Sequence, residues 1–410
     1  MWEWFMIAGV ATTLYAYAGY PILLVIVRRL RRRPQVSMAE PVTWPRISIT
    51  LPAYNAERTL RPVLDGLVRI DYPPELRQIV VVSDGSTDGT DALVAEYLHL
   101  GVELLRHTPR VGKTEVENFA MTALTGEIIV NTDASVALAP DAVRRLVAAF
   151  SDPGVGVSSG RDISVAAVGG TAHGGEAAYV GYEMWIRDLE TEVDAIVGAS
   201  GCLYAVRAEL HRRRLPGYLA RDFSSALWAR LNGFRAVSVR DAICFVPRAA
   251  SMRVEFRRKV RTMTRGIETL FFHRSLLNPL KFGMFAWLLW SHKLIRWLVP
   301  WALTACAIAV VALSASTVWA ASGTVALALC LGLAALGWWW PRRDRVPRLP
   351  SVAAYFVSGT LAGLAAWVQA VRGHRASLWD PTPRAHSVVD ASIAGRDDEG
   401  DTGPAGAPSA

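Results

Sequence analysis

Two hydrophobic rhythms run along this chain. Between about residues 45 and 150 the apolar positions come in short runs, each closed by polar turn residues: ISITL (Ile47–Leu51), QIVVV (Gln78–Val82) and EIIV (Glu127–Val130). Continuous β-branched runs of this length predict strands buried on both faces. Helical spacing between them predicts helices over Glu57–Val68, Asp91–Leu100, Lys113–Ala123 and Pro140–Phe150. The alternation predicts an α/β domain with a mostly parallel sheet covered on both sides. Further on, the pattern predicts a strand at Gly154–Ser159, a helix over Glu176–Glu192, and a tight turn entering a strand at Gly198–Arg207. The glycine-rich stretch Gly169–Gly175 reads as a mobile loop.

The second rhythm is long and uncharged. Phe5–Val27 carries no charge, Trp297–Trp340 is long enough for two crossings with a turn near Ser314–Gly323, and Ser351–Val371 is a third candidate. A helix needs about 20 apolar residues to cross a bilayer. The first stretch lacks the basic start of a cleaved signal peptide, and its arginines (Arg28, Arg29, Arg31, Arg32, Arg33) follow it. A retained anchor is expected, with the following domain cytoplasmic by the positive-inside rule. This predicts an integral plasma (inner) membrane protein.

Two segments sit between these rhythms. Met252–Phe272 alternates basic and apolar positions, as an interfacial helix does. Phe282–Leu298 is apolar but carries His292, Lys293 and Arg296; a charge at the bilayer centre costs about 2.5–3.5 kcal/mol, which predicts a second interfacial helix and not a span. The expected organisation is an anchor at 1–30, a cytoplasmic domain at 45–250, interfacial helices at 251–296, about three spans at 297–372 and a disordered Gly/Pro/Asp/Ala-rich tail at 373–410.

Composition changes this picture little. The length of 410 residues exceeds one usual domain. The net charge of +8 comes from arginines that flank apolar tracts, so it reads as a topology signal and an attraction to anionic membrane lipids. It accompanies no nucleic-acid-binding motif, and no nucleic acid partner is expected. The four cysteines are widely spaced without CxxC and read as small buried hydrophobes.

The chemistry lies just past the strands. PAYNAE (Pro52–Glu57), SDGSTDGT (Ser83–Thr90) and NTDAS (Asn131–Ser135) follow the three runs, and residues past the carboxyl ends of parallel strands gather at one crevice. Asp84 can accept from a base N–H or a ribose hydroxyl, and an ordinary turn explains it as well. Asp133 with Ser135 two residues on suits Mg²⁺ or Mn²⁺, and a helix-capping loop explains them equally. Gly112-Lys113-Thr114 is no P-loop, because His107 stands where that motif needs glycine. Lys113 reads as a donor-contacting base or a solvated surface lysine. Asp222, before an amphipathic helix, reads as a general base or an N-cap.

Taken in order, these motifs, with Asn118, GASGCLYAVR (Gly198–Arg207) and the acid before a Gly-Phe helix, resemble the family 2 inverting glycosyltransferases of GT-A fold. The resemblance covers about Ile47–Thr269 and points to the membrane-integrated branch of cellulose, chitin, hyaluronan and poly-N-acetylglucosamine synthases. It implies that Ala53, Tyr54, Glu57, Asp84 and Lys113 hold the nucleotide of a nucleotide-sugar donor, UDP-linked in this reading. It implies a divalent metal at Asp133 and Ser135, and Asp222 as catalytic base. Gly198, Ser200, Gly201, Glu183, Arg258 and Arg261 would serve the acceptor and phosphate side. Two departures stand out: Ser135 replaces the second acid of DxD, and QxxRW appears as Arg258-Lys259-Val260-Arg261-Thr262. The missing tryptophan leaves both a polymer and a single addition to a lipid or glycan acceptor open. The alternatives are a polyprenyl-phosphate glycosyltransferase, or an inactive relative serving as membrane scaffold or export partner.

Overall fold

The computed structural model describes residues 1–31, 39–165, 174–247, 252–340, 346–373, 375 and 378. Among them eight strands form one mixed sheet: β1 Ile47–Ala53, β2 Arg77–Asp84, β3 Val102–His107, β4 Ile128–Thr132, β5 Ala137–Leu138, β6 Val155–Val165, β7 Leu203–Arg207 and β8 Arg235–Pro247. Their order is β3-β2-β1-β4-β7-β6-β8-β5. The first four in that order run parallel, and β7 lies antiparallel between β4 and β6.

The period of two explains how both faces are covered. In β2, Ile79 and Val81 join one core with Leu60, Leu64 and Leu67 of the Glu57–Val68 helix and with Val143 and Leu146 of the Ala142–Ala148 helix. Val80 and Val82 point the other way, onto Val116 and Ala120 of the Lys113–Ala120 helix and Ala226 of the Arg221–Leu231 helix. All seven residues of β1 are buried, as a strand covered on both faces requires. Strands β3, β5 and β8 are additions to the sequence reading. The predicted strand at Gly154–Ser159 extends to Val165, and three helices are shorter than predicted, at Thr90–Ala95, Lys113–Ala120 and Ala142–Ala148.

Among the described residues four helices are long and apolar enough to cross a membrane: Trp2–Arg31, Pro279–Leu313, Val318–Trp338 and Arg348–Val371. The first packs closely on the second, where a Cβ on Gly9 would stand 2.6 Å from the Ala302 carbonyl oxygen. The predicted break between Phe282–Leu298 and the span after it does not exist. After a kink at Gly283 (φ 50°, ψ −119°) the helix runs on to Leu313, with a widened π-helical turn at Trp290–Ile295. Its charges are tolerated because His292 and Arg296 are buried against carboxylates of the Gly174–Val193 helix. The insertion penalty applies to a charge facing lipid, and these face protein.

The Met252–Phe272 helix has the predicted bounds and a different setting. Lys259 lies over the Tyr355 ring, Thr264 donates to the Ala366 carbonyl at 3.4 Å, and Arg265 is buried in the α/β domain. It bridges that domain to the Arg348–Val371 helix instead of lying free on a surface. The expected loop at 169–173, Arg32, Arg33 and nearly all of the tail fall outside the described residues.

Candidate active site

Strand register brings the polar motifs to one edge. Ala53 lies opposite Ser83, and Thr50 opposite Asn131, so Tyr54, Asp84 and Asp133 follow the aligned carboxyl ends of β1, β2 and β4. The first two motifs then stitch to each other. The Asn55 Oδ1 accepts from the Thr87 amide at 2.8 Å, the Ala56 amide donates to Thr90 Oγ1 at 2.8 Å, and Glu57 Oε2 accepts from the Gly89 amide at 3.0 Å. A Cβ on Gly89 would stand 2.7 Å from the Glu57 carboxyl, so a side chain there would push that carboxyl off the Gly89 amide. Glu57 thus locks the loops that frame the crevice.

Asp84 is also committed to backbone. It is 2% exposed, and its two oxygens accept from the Val111 and Gly112 amides at 2.8 Å each. These bonds hold the segment that sets Arg110 over the Tyr54 ring, 3.6 Å from its centroid, and Lys113 at the start of its helix. Replacing Asp84 with Asn puts an NH2 group against one of those amides. An unsatisfied buried group costs about 1–3 kcal/mol. Asp84→Asn is expected to lower the midpoint of denaturant unfolding and weaken donor binding together; an unchanged midpoint would contradict this account.

Lys113 reaches inward. Its Nζ donates to Asp133 Oδ1 at 2.6 Å and to the Gly201 carbonyl at 3.4 Å. Burial alone would lower its pKa, but Asp133 and Glu117 outweigh burial and hold the ammonium above its ordinary value. It is neither a solvated surface lysine nor part of a phosphate loop. Asp222 faces the same place: a Cβ on Gly201 would stand 3.0 Å from Asp222 Oδ2. The N-cap of the Arg221–Leu231 helix is Ala220, which removes capping as an explanation for Asp222. Lys113, Asp133 and Asp222 therefore converge on Gly201.

Beneath them lies a buried layer that sequence reading missed. Glu117 (1% exposed) pairs with Arg221 (3%) at 3.2 Å, and Arg221 also donates to Asn118. Burial raises the Glu117 pKa, against the opposing pull of Lys113 and Arg221. Arg265 donates to Thr114 Oγ1 at 2.8 Å and to the Leu219 carbonyl at 2.5 Å, tying the Lys113 helix to the loop before Asp222. Its pKa is lowered by burial, with Asp222 and Glu117 opposing.

The predicted acceptor residues divide. Gly198 and Gly201 line the turn beside Phe223 and Asp222. Ser200 is 2% exposed and its hydroxyl donates to Asp162 Oδ1 at 2.6 Å, so it braces the turn. Glu183 binds His292 and Arg296 of the Pro279–Leu313 helix. Arg258 pairs with Glu255 on its own helix at 2.8 Å. Arg265, one turn beyond Arg261, is an arginine of that helix that bonds to the Lys113 helix. The spacing of four residues was the available signal.

For a divalent metal, the donor set is lean. Among the described residues no three His, Cys, Asp or Glu side chains come together as ligands. Asp133 is half-buried at a strand end beside Ser135 and is held by an ammonium. One carboxylate completed by phosphates and water suits Mg²⁺ or Mn²⁺, so the site fits a metal that arrives with a diphosphate.

A parallel-sheet crevice with nucleotide-type loops, a lysine-neutralised aspartate and a second carboxylate defines a GT-A-like glycosyltransferase domain, here joined to four span-length helices. Residues 48–206 match the model of glycosyl transferase family 2. An N-acetylglucosaminyltransferase of Rhizobium leguminosarum bv. trifolii is 32% identical over 141 residues, 33% of this chain and 76% of that protein. Another, from Mesorhizobium japonicum, is 32% identical over 123 residues, 29% of this chain and 28% of that protein. The mannosyltransferase of Pyrobaculum calidifontis, solved in complex with GDP-Man and Mn2+, superposes with a TM-score of 0.67 at 25% identity, covering 90% of this chain and 99% of that one. The chain belongs to glycosyl transferase family 2. It spans under a third of the length of the first curated relatives it matches.

Proposed function

We propose that this protein is a membrane-bound inverting glycosyltransferase that moves a sugar from a nucleotide-sugar to an acceptor presented at the membrane. The observation that carries the reading is the convergence on Gly201 of Lys113 with Asp133 from one side and Asp222 from the other. The curated relatives named N-acetylglucosaminyltransferase support an N-acetylglucosamine-bearing donor.

Tyr54 with Arg110 forms the plate for the base, and Ala53, Glu57 and Asp84 shape the loops around it. Lys113 lies where the donor diphosphate would enter. A divalent cation held by Asp133, with Ser135 beside it, would supply neutralisation of the diphosphate charge. Asp222 accepts the proton of the acceptor hydroxyl as that oxygen bonds to the anomeric carbon. The bond from that carbon to the diphosphate oxygen breaks, and the nucleoside diphosphate leaves on the opposite face. Arg265 and the Glu117–Arg221 pair hold the lysine and the base in register. The span-length helices, with Arg28, Arg29 and Arg31 in the last turn of the first, support a cytoplasmic catalytic domain.

The test is full-length protein in detergent against UDP-, GDP- and TDP-sugars, with Mg²⁺ or Mn²⁺ and with chelator. Metal-dependent release of one nucleoside diphosphate, strongest for a UDP-sugar, is expected. Absence of binding to every nucleotide-sugar would overturn the reading.

A further inference from the structure

The turn at 198–202 is slung between two strands. On one side the Ser200 amide donates to Ser159 Oγ at 2.8 Å, and the Ser200 hydroxyl meets both Asp162 oxygens, at 2.6 and 2.8 Å. Ser159 and Asp162 both belong to β6. On the other side Thr132, the last residue of β4, donates through its hydroxyl to the Cys202 carbonyl at 2.9 Å. The Cys202 amide donates back to the Ser200 hydroxyl oxygen at 3.1 Å. Gly201, between these anchors, is left facing Lys113 and Asp222.

Asp162 reaches the turn because the sheet is irregular there. Residues three apart in a regular strand face opposite sides, yet Ser159 and Asp162 both bond to Ser200. The register shows how: Ser159 pairs with Ser238 of β8 but Arg161 with Ile243, so β8 carries extra residues across the break. Irregularities of this kind re-aim side chains beside active sites. Gly160 sits at the break, where a Cβ would stand 2.9 Å from the Ala242 carbonyl oxygen. Burial raises the Asp162 pKa, and Arg187 with the bonds from Ser200 and from Cys244 Sγ (3.2 Å) opposes that push. A carboxylate is costly to hold in such a place, and both of its oxygens are turned to Ser200.

We propose that Asp162 is a positioning residue for sugar transfer, which acts through the Ser200 hydroxyl to fix Gly201 against Asp222. A Cβ on Gly201 would stand 3.0 Å from Asp222 Oδ2, so a slack turn moves the wall on which the base rests. Misplacing a reacting group by about 1 Å can cost about 10²-fold in rate. Lys113 keeps its 2.6 Å bond to Asp133 whichever way the turn shifts, which spares the donor side. This rests on the glycosyltransferase reading and adds to it a residue outside the acid series at the strand ends.

Full-length protein is assayed with the nucleotide-sugar that wild type turns over fastest, in membrane vesicles of the expression host and in detergent, where water is the acceptor. Asp162→Ala and Ser200→Ala are each expected to lower kcat about 10- to 100-fold, with the donor KM within about threefold of wild type. Both donors reach Asp162 Oδ1, so Asp162→Asn can keep them and should retain most of the rate. The double alanine variant should lose no more than Ser200→Ala alone, because the two side chains act through one bond. Additive losses overturn the route through Ser200, and equal losses for Asp162→Asn and Asp162→Ala overturn the hydrogen-bond account. A lower unfolding midpoint with kcat unchanged makes the pair merely structural and overturns the proposal, as does a loss confined to the donor KM. Should Asp162→Ala fail to fold, Ser200→Ala decides by the same readings. Wild type that binds no nucleotide-sugar fails the underlying reading; wild-type turnover by both alanine variants fails this inference alone.

Discussion

Asp222→Asn is expected to lower the rate of sugar transfer by roughly 10²- to 10⁴-fold, the usual contribution of a positioned general base. The amide keeps the shape of the carboxylate against Gly201 and cannot take the proton. Lys113, Asp133 and the Tyr54–Arg110 plate are untouched by the change, so donor affinity should stay near wild type. The loss should therefore fall on kcat and not on donor binding. The measurement is nucleoside diphosphate release with acceptor present, beside a direct donor titration. Release at the wild-type rate would remove Asp222 from the mechanism. A loss confined to donor binding would move it to the nucleotide.

The second large effect is on stability. Glu183→Ala leaves His292, Lys293 and Arg296 around an empty place, each already away from water. Removing one partner of a buried pair costs about 3–5 kcal/mol, a large share of the stability of a typical domain. Thermal unfolding in detergent should show a clear fall, and Glu183→Gln, which keeps an acceptor oxygen, a smaller one. Equal midpoints for wild type and Glu183→Ala would show that these pairs do not hold the domain to the helices. Burial would raise the Glu183 pKa, but His292, Lys293 and Arg296 hold it well below the usual range. Its contribution is therefore complete above the unfolded value of about 4.3 and is lost as pH falls below that towards the folded value.

Much of the architecture was legible because it is local. ISITL and QIVVV announce doubly covered strands by composition alone, and the helix at Met252–Phe272 has the bounds its period predicts. The edge strand β3 and the long β8 were less legible, since VELLRH and RAVSVRDAICFVP carry charges within their length. The missed continuity of Phe282–Leu298 with the segment after it has a definite cause. Hydropathy charges each ionic residue as if it faced lipid, whereas His292 and Arg296 face Glu183, more than 100 residues earlier in the chain.

The same division holds at the site. By itself the sequence determined that polar motifs follow the strands and that span-length apolar segments flank them, because both follow from short-range periodicity. It also determined which acids were available. The tertiary structure alone decided what each acid does. Asp84 and Glu57 turned to backbone amides, Ser200 turned to Asp162, and Asp133 met Lys113. Arg265 reached the site because packing on two neighbours sets the rotation of its helix, one turn past the arginine that the QxxRW resemblance pointed to. Pairing of buried charges is a matter of distance in space, and a chain carries that information only once it has folded.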